Sequence, residues 1–161
     1  MTTESYLDSH ELRGAFFAHQ LDLLADLTAI QGEELLLDAG IQFPSRAISA
    51  ALLIGERGNV SVADIAEALD RPHQLIAQRI ELLIRAGVVS RQPDPNDGRR
   101  KILELTAKGV EQFERLKQRL AEVDDVFQAL FAEIDCDLPR HLIHVTEALG
   151  QSSLLARLKA L

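Results

Sequence analysis

The chain has 161 residues, of which 47% are hydrophobic and only 4% aromatic, and its net charge at pH 7 is −8. This length is enough for one sizeable core, or for a compact domain with helical extensions. The single cysteine, Cys136, excludes an intramolecular disulfide. No apolar run is long enough to cross a membrane, and the polar residues 1–8 lack the basic and apolar regions of a secretory signal. We therefore expect a cytoplasmic protein with no membrane partner.

The distribution of charge is uneven along the chain. An overall acidic protein is a poor partner for nucleic acid, because Lys and Arg side chains supply most of the non-specific affinity for phosphates. Residues 71–101, however, carry seven basic and three acidic side chains, which leaves a local excess of four positive charges in an otherwise acidic chain. One basic face is therefore compatible with nucleic-acid binding.

The first predicted element is a long amphipathic helix over residues 9–38. Ser9 suits the N-cap, apolar residues follow at helical spacing as far as Ile30, and no proline interrupts the stretch. Gly40 tolerates the left-handed conformation that commonly follows a helix C-terminus. The helix is therefore expected to end at residue 38.

Two short helices joined by a tight connection are predicted in the middle of the chain, after a helix that begins near Pro44. Ser61 is an N-cap with Asp64 three residues later, the acidic form of a capping box. Pro72 suits the start of the next helix, whose apolar stripe continues as far as Gly87. This arrangement is typical of a helix-turn-helix.

A β-hairpin is predicted directly after these helices. Residues 88–92 and 100–105 are rich in β-branched and other apolar side chains, and the loop between them contains two prolines, an asparagine and a glycine. Such a hairpin beside a helix-turn-helix forms a wing.

Two helices are predicted after the hairpin. Thr106 suits the N-cap of a long amphipathic helix. Asp137 as N-cap and Pro139 in the first turn then predict one last helix that extends through Leu158. Both helices carry apolar stripes that a small central domain cannot cover completely.

The segment GVVSRQPDPNDGRRKILELTAKG resembles the wing of the MarR family of winged-helix regulators. It contains a glycine, paired apolar residues, an arginine, a DP-x-D-x-R tip and the closing Leu105, Thr106 and Gly109. The resemblance implies a mainly α fold, a winged helix-turn-helix with a short β-hairpin wing between long N- and C-terminal dimerisation helices. It implies one MarR-like unit over residues 1–161. Within that unit it assigns DNA binding to residues 41–106 and dimerisation to residues 9–38 and 106–161.

The resemblance also implies which residues bind DNA. The reading helix enters the major groove, and the wing places a cation, Arg99, in the narrow minor groove. Asp97 is expected to orient that guanidinium through a charge-assisted bond. The recognition-helix candidates are His73, Gln74, Gln78 and Arg79. The wing and phosphate-contact candidates are Arg91, Asp97, Arg99, Arg100 and Lys101. The family often has Ser, Thr or Arg at the positions of Pro72, Gln74, Ala77 and Gln78, so fewer charged phosphate anchors are expected on this helix.

The expected partners are double-stranded DNA with a pseudo-palindromic operator and a second copy of the chain. In the family the terminal helices of two subunits interlock, and two-fold symmetry sets two reading helices roughly 34 Å apart. The candidate dimerisation residues are Leu12, Phe16, Leu142, Val145, Leu149, Leu155 and Leu158. The resemblance further implies a transcription regulator, most simply a repressor, modulated by a small-molecule effector. No cofactor is expected.

Several alternatives remain open from the sequence alone. His141 and His144 could form a metal site with His10 or His19, although ordinary polar histidines are the simpler interpretation. Cys136 could be a redox sensor, but it lies between two aspartates that disfavour a reactive thiolate. No catalytic residue or resident metal is predicted, because the motifs of nucleotide-binding loops, nucleophile elbows and metal clusters are missing from the sequence. The main alternative function is a winged-helix module that binds a protein or a ligand but no DNA.

Overall fold

The computed structural model describes residues 6–7 and 9–161. The expectation that the polar N-terminus is not a secretory signal concerns residues 1–8, and most of these lie outside the described residues. The chain divides into two compact units, one that ends at Arg119 and one over Leu120–Leu161. In chain order the elements are α1 (Phe17–Asp38), α2 (Ile48–Arg57), α3 (Val62–Ala68), α4 (His73–Arg85), β1 (Val89–Pro93), β2 (Lys101–Leu105), α5 (Ala107–Glu133), α6 (Leu138–Gln151) and α7 (Leu154–Leu158). The fold is thus mainly helical with one antiparallel hairpin, as predicted.

The start of the first helix differs from the prediction. The Ser9 hydroxyl donates to the Tyr6 carbonyl at 3.3 Å instead of capping a helix. A 3-10 turn over Arg13–Phe16 comes next, and α1 begins only at Phe17. Gly14 lies inside this turn, and glycine is a weak helix former because it loses the most backbone entropy. The prediction of helix from residue 9 was therefore wrong, whereas the end at Asp38 is confirmed.

The winged helix has the core that the apolar spacing predicts. Ile76, Ile80 and Leu83 on one face of α4 are fully buried, together with Ile65 of α3 and Leu103 of β2. Each of these side chains lies on the face that helical or strand periodicity turns inward. Because the inward face of α4 is occupied by the core, the opposite face is left for other contacts.

Local capping signals set the ends of the short helices. Ser61 and Asp64 form the predicted capping box, with the Ser61 backbone N–H donating to Asp64 at 2.7 Å and the Asp64 backbone N–H donating to the Ser61 hydroxyl at 3.3 Å. α4 ends two residues before Gly87, whose φ of +73° is the left-handed conformation expected there. The connection between α3 and α4 is therefore short and defined at both sides.

The hairpin is closed in one register and anchored to the helices. β1 and β2 pair antiparallel from Val89 opposite Leu105 to Pro93 opposite Lys101. Beyond the pair, the Leu103 backbone N–H donates to the Val60 carbonyl at 2.8 Å, so the residue before the capping box pairs with the middle of β2. The base of the wing is thereby fixed to the start of α3.

Gly109 allows α5 to pass close to the hairpin. A Cβ atom at residue 109 would lie 2.1 Å from the Val88 carbonyl oxygen and 3.3 Å from Leu105 Cβ. The Thr106 hydroxyl fixes the same crossing, because it accepts from the Gly109 backbone N–H at 3.0 Å and donates to the Gly87 carbonyl at 2.7 Å. The predicted N-cap at Thr106 is confirmed, and the closing glycine is explained by steric exclusion.

We expect Gly109→Ala to destabilise the protein by about 1–3 kcal/mol, because the new methyl group would push against a backbone carbonyl that cannot rotate away. Gly150→Ala in α6 is the matched control, since no atom lies within 4 Å of the added Cβ. That change should stabilise the chain by about 0.5–1 kcal/mol through helix propensity. Chemical denaturation of both variants measures the two effects, and equal stability of the two would contradict the close-approach argument.

The second unit contains a break that the sequence pattern did not reveal. α6 begins as predicted, with Asp137 accepting from the Arg140 backbone N–H at 3.1 Å, but it ends at Gln151. Ser152 and Ser153 are extended, and the Ser153 hydroxyl accepts from the Ala156 backbone N–H to cap the separate α7. The prediction of one last helix was therefore wrong. Serine hydroxyls compete for backbone groups, which favours caps over helix interiors.

None of the helices in the described part of the chain combines the length and the apolar character that a membrane crossing requires.

Candidate nucleic-acid interface

The outward face of α4 is polar and open to solvent. His73, Gln74 and Gln78 are exposed, and Gln74 and Gln78 stand one helical turn apart on the side opposite the buried stripe. A glutamine amide offers a donor and an acceptor side by side, the pattern that matches the major-groove edge of adenine. This face presents hydrogen-bonding groups with no competing partner among the described residues.

The tip of the wing is a loop stabilised by two aspartates. Asp94 accepts from the Asn96 backbone N–H at 2.8 Å, and Asp97 accepts from the Arg99 backbone N–H at 3.0 Å. The Arg100 backbone N–H also donates to the Asp97 carbonyl, at 2.9 Å. These bonds shape the turn locally, as short acidic side chains commonly do.

Arg99 lies at this tip with its guanidinium exposed. In the part of the chain that the structure describes, no carboxylate pairs with it. The predicted bond from Asp97 to the guanidinium is wrong, because the carboxylate oxygen accepts from the backbone N–H of Arg99 instead. In an Asx turn the carboxylate accepts from the backbone N–H two residues later, which lies closer to it than the end of the Arg99 side chain. Asp97 therefore orients Arg99 through the backbone N–H of Arg99 and leaves the positive charge of the guanidinium unneutralised.

Two other wing cations are already paired. Arg91 Nη2 lies 2.8 Å from Glu81 Oε1, which joins β1 to α4. Arg100 Nη2 donates to Asp64 Oδ2, and Arg100 Nη1 lies 3.5 Å from Asp94 Oδ2. Lys101, in contrast, is exposed and has no ion-pair partner among residues 6–7 and 9–161. The predicted phosphate contacts thus fall into a paired and an unpaired group.

The Asp64 carboxyl is held in its charged form. Its pKa lies below the ordinary value, mainly because the Ser61 backbone N–H donates to it, with the Ser61 hydroxyl and Arg100 adding to the lowering and burial opposing it. A carboxylate stabilised in this way is a firm anchor for a guanidinium across the surface. The capping box of α3 therefore also forms one end of an ion pair to the wing.

Arg79 is the least exposed of the recognition-helix candidates. Burial lowers the pKa of its guanidinium, and the nearby positive charges of Arg71 and Arg46 lower that pKa further. Arg46 is itself paired with Asp26 at 2.5 Å. The structure thus places Arg46 and Arg71 near Arg79, the predicted DNA-binding cation of α4. Sequence reasoning did not single out Arg46, because nothing local links it to a residue so far along the chain.

Comparison with known proteins bears on this geometry. Residues 40–100 match the model of the MarR family. This segment of the chain is similar to the winged-helix domain of the MarR family. Its matched segment contains α2, α3, α4, β1 and the wing tip, the elements that carry the exposed polar face and Arg99. Among curated proteins, none has a matching sequence.

Solved structures share the fold of this segment and of the helices around it. The S. aureus MepR–DNA complex aligns with a TM-score of 0.63 at 18% identity, covering 84% of this chain and 96% of that one. A MarR transcriptional regulator from Methanosarcina mazei Go1 aligns at 0.58 with 20% identity, covering 87% and 97%. The PcaV transcriptional regulator from Streptomyces coelicolor aligns at 0.58 with 24% identity, covering 82% and 98%. At these identities the likeness establishes the fold.

Members of the MarR family are transcription regulators and not enzymes. Within residues 6–7 and 9–161, no three His, Cys, Asp or Glu side chains are grouped closely enough to hold a metal ion. His141 Nδ1 lies 2.7 Å from the Asp137 carbonyl oxygen, one turn earlier on its own helix. Cys136 is a free, half-exposed thiol.

Most of the candidate dimerisation residues are exposed within their own unit. In the first unit, Leu12 is 59% exposed and Phe16 is half-buried. In the second unit, Leu155 and Leu158 on α7 are 60% and 66% exposed, and α6 contributes further apolar surface. The α6 members of the set are Leu142, which is half-buried, and the exposed Val145 and Leu149. Both units therefore carry apolar helix faces with no partner within the unit.

Proposed function

We propose that this chain is a sequence-specific transcription regulator that binds double-stranded DNA as a homodimer and acts as a repressor. The observation that carries the proposal is the outward face of α4, polar and unpaired, beside a wing whose tip arginine has no neutralising partner among the described residues. The S. aureus MepR of similar fold was solved in complex with DNA, which supports the same use of this domain. A cytoplasmic location stays a prediction from the sequence.

The proposed binding mode assigns one groove to each element. α4 enters the major groove, where Gln74 and Gln78 each donate to and accept from an adenine edge. The wing lies along the neighbouring minor groove, whose narrow width concentrates the negative potential that attracts Arg99. Lys101 and Arg79 contact phosphates, which set the register of the protein on the duplex. The net charge of −8 on the whole chain makes this local cationic surface important for affinity.

The proposed dimer follows from the uncovered apolar faces of the terminal helices. Apolar side chains that are 39–66% exposed on several helices exceed what a small monomer usually leaves open to water. A second copy of the chain covers the same faces by two-fold symmetry. Two reading helices roughly 34 Å apart then require a pseudo-palindromic operator. We propose that residues 41–106 bind DNA and that residues 9–38 and 106–161 form the dimer.

A small-molecule effector is the further part of the proposal. A cavity of about 290 Å³ lies between α1 and α4 and is lined by Ala29, Ile30, Glu33, Arg46 and Leu82. A ligand in this cavity contacts the reading helix directly, and a few kcal/mol of differential affinity is enough to shift its position. Phenolic acids and other small carboxylates, which would replace Asp26 as the partner of Arg46, should raise the melting temperature. The absence of any shift across such a panel would remove the support for an effector at this cavity.

The proposed function is tested by fluorescence anisotropy with the duplex upstream of the protein's own gene, a scrambled duplex and a range of salt concentrations. Tight binding to the first duplex, with an affinity that falls steeply with salt, is the expected result. Equal weak binding to both duplexes calls for selection from random DNA. Failure of that selection would favour the alternative, a winged-helix module for protein or ligand contacts.

A further inference from the structure

We propose that Arg100 is a positioning residue that holds the wing against the start of α3, and that it makes no phosphate contact. This inference rests on the proposed DNA-binding function and corrects the role that the sequence pattern predicts for this residue. The observation is that both terminal nitrogens of its guanidinium face carboxylates of the protein itself, Asp64 and Asp94.

The contact joins two separate parts of the domain. Arg100 precedes β2, whereas Asp64 lies in the first turn of α3, 36 residues earlier. The second carboxylate, Asp94, comes from the other side of the wing tip, and its side chain is only 10% exposed. The Asp94 backbone N–H also donates to the Arg100 carbonyl at 3.0 Å. Arg100 therefore links both sides of the wing tip to a helix outside the wing.

The Asp64 carboxylate on α3 is held in place by hydrogen bonds of its own helix cap, independently of Arg100. Asp64 Oδ2 accepts from the Ser61 backbone N–H at 2.7 Å and from the Ser61 hydroxyl at 2.9 Å. One residue earlier, the Val60 carbonyl accepts from Leu103 of β2. The segment that enters α3 thus contacts the wing twice, through the backbone at the base and through Arg100 nearer the tip. Losing the second contact leaves the tip attached only by the hairpin.

The charges around Arg100 are unfavourable for a phosphate. One guanidinium faces two carboxylates, so this group has a net negative charge, and Glu67 and Arg57, which line the same groove, cancel each other in charge. A phosphate would have to displace a carboxylate that the helix cap holds in place. Arg99 and Lys101, its neighbours on either side, have no such carboxylate among the described residues. The wing therefore divides its cations between holding the tip and contacting DNA.

The test is a double-mutant cycle of Arg100→Gln and Asp64→Asn, measured as DNA affinity over a range of salt concentrations. Asparagine keeps an oxygen that accepts from the Ser61 backbone N–H, so the cap of α3 is retained. Each single variant should bind about three- to tenfold more weakly than the parent, and the double variant no more weakly than either. The result for Asp64→Asn is decisive, because removing a negative charge by itself would strengthen DNA binding.

The dependence on salt distinguishes positioning from direct contact. Loss of one phosphate contact in each subunit of the dimer lowers the slope of log affinity against log salt by about 1.8, whereas loss of a positioning residue leaves the slope unchanged. Arg57→Gln is the matched control, because Arg57 lines the same groove and forms no ion pair within the described residues. A lower slope for Arg100→Gln, together with tighter binding by Asp64→Asn, would overturn the proposal.

Hydrogen exchange of the free protein keeps this inference separate from the proposed function. Without DNA, both single variants should exchange the backbone amides of Asp94 and Ile102 several-fold faster than the parent, and Arg57→Gln should not. Unchanged exchange rates in both variants would contradict the positioning role even if the parent binds DNA. Faster exchange in a parent that binds no selected duplex would retain the positioning role and reject only the proposed function.

Discussion

Arg99→Glu is expected to weaken sequence-specific DNA binding by at least about 100-fold while leaving the fold intact. The guanidinium is exposed and unpaired in the described structure, so its replacement removes no internal contact. A lost base or groove contact costs about 1–3 kcal/mol, and a two-fold dimer loses two of them. The introduced carboxylate adds repulsion from the phosphates. Fluorescence anisotropy against the selected operator measures the effect.

The control for this variant is Arg140→Glu, which makes the same change of charge on α6, in the second unit. It should bind the operator within about threefold of the parent, because Arg140 is not among the candidate DNA-binding residues and salt screens the change of net charge. Circular dichroism and light scattering should show both variants folded and in the parent's oligomeric state. If Arg99→Glu binds as tightly as the parent, the wing is not part of the DNA interface.

Leu149→Glu combined with Leu158→Glu is expected to convert the dimer into monomers. The two side chains are 41% and 66% exposed in the single chain, so the substitutions cost little within the unit itself. By symmetry the proposed dimer interface contains two copies of each leucine. Burying one leucine contributes about 1.5–3 kcal/mol. A buried, unpaired carboxylate adds a larger cost. We expect the dimer dissociation constant to rise by more than about 1,000-fold in sedimentation experiments.

Leu161→Glu is the matched control, because this terminal side chain is fully exposed and is not among the candidate dimerisation residues. It should sediment as the parent does. The double variant should also lose most of its operator affinity, since one reading helix covers only half of the operator. A parent that sediments as a monomer, or a double variant that remains dimeric, would refute the assignment of α6 and α7 to the dimer.

Most elements of the domain could be predicted because their signals are local. The capping box of Ser61 and Asp64, the caps at Thr106 and Asp137 and the stop at Gly87 each depend on a few neighbouring residues. A cap forms through bonds that span two to four residues, so the sequence contains nearly all the information that decides it. The errors arose at Ser9 and at the pair of serines that separates α6 from α7, where several local bonds compete for the same hydroxyl groups.

The buried face of α4 and the cations of the wing could be predicted from the order of the residues, because helical periodicity and hairpin spacing are properties of adjacent residues. The roles of those cations depend on contacts between distant segments. The tertiary structure pairs Arg100 with Asp64 and Arg91 with Glu81, and it leaves Arg99 without a described partner. Ion pairs between distant segments depend on how the elements pack, and no local pattern of charge determines that packing.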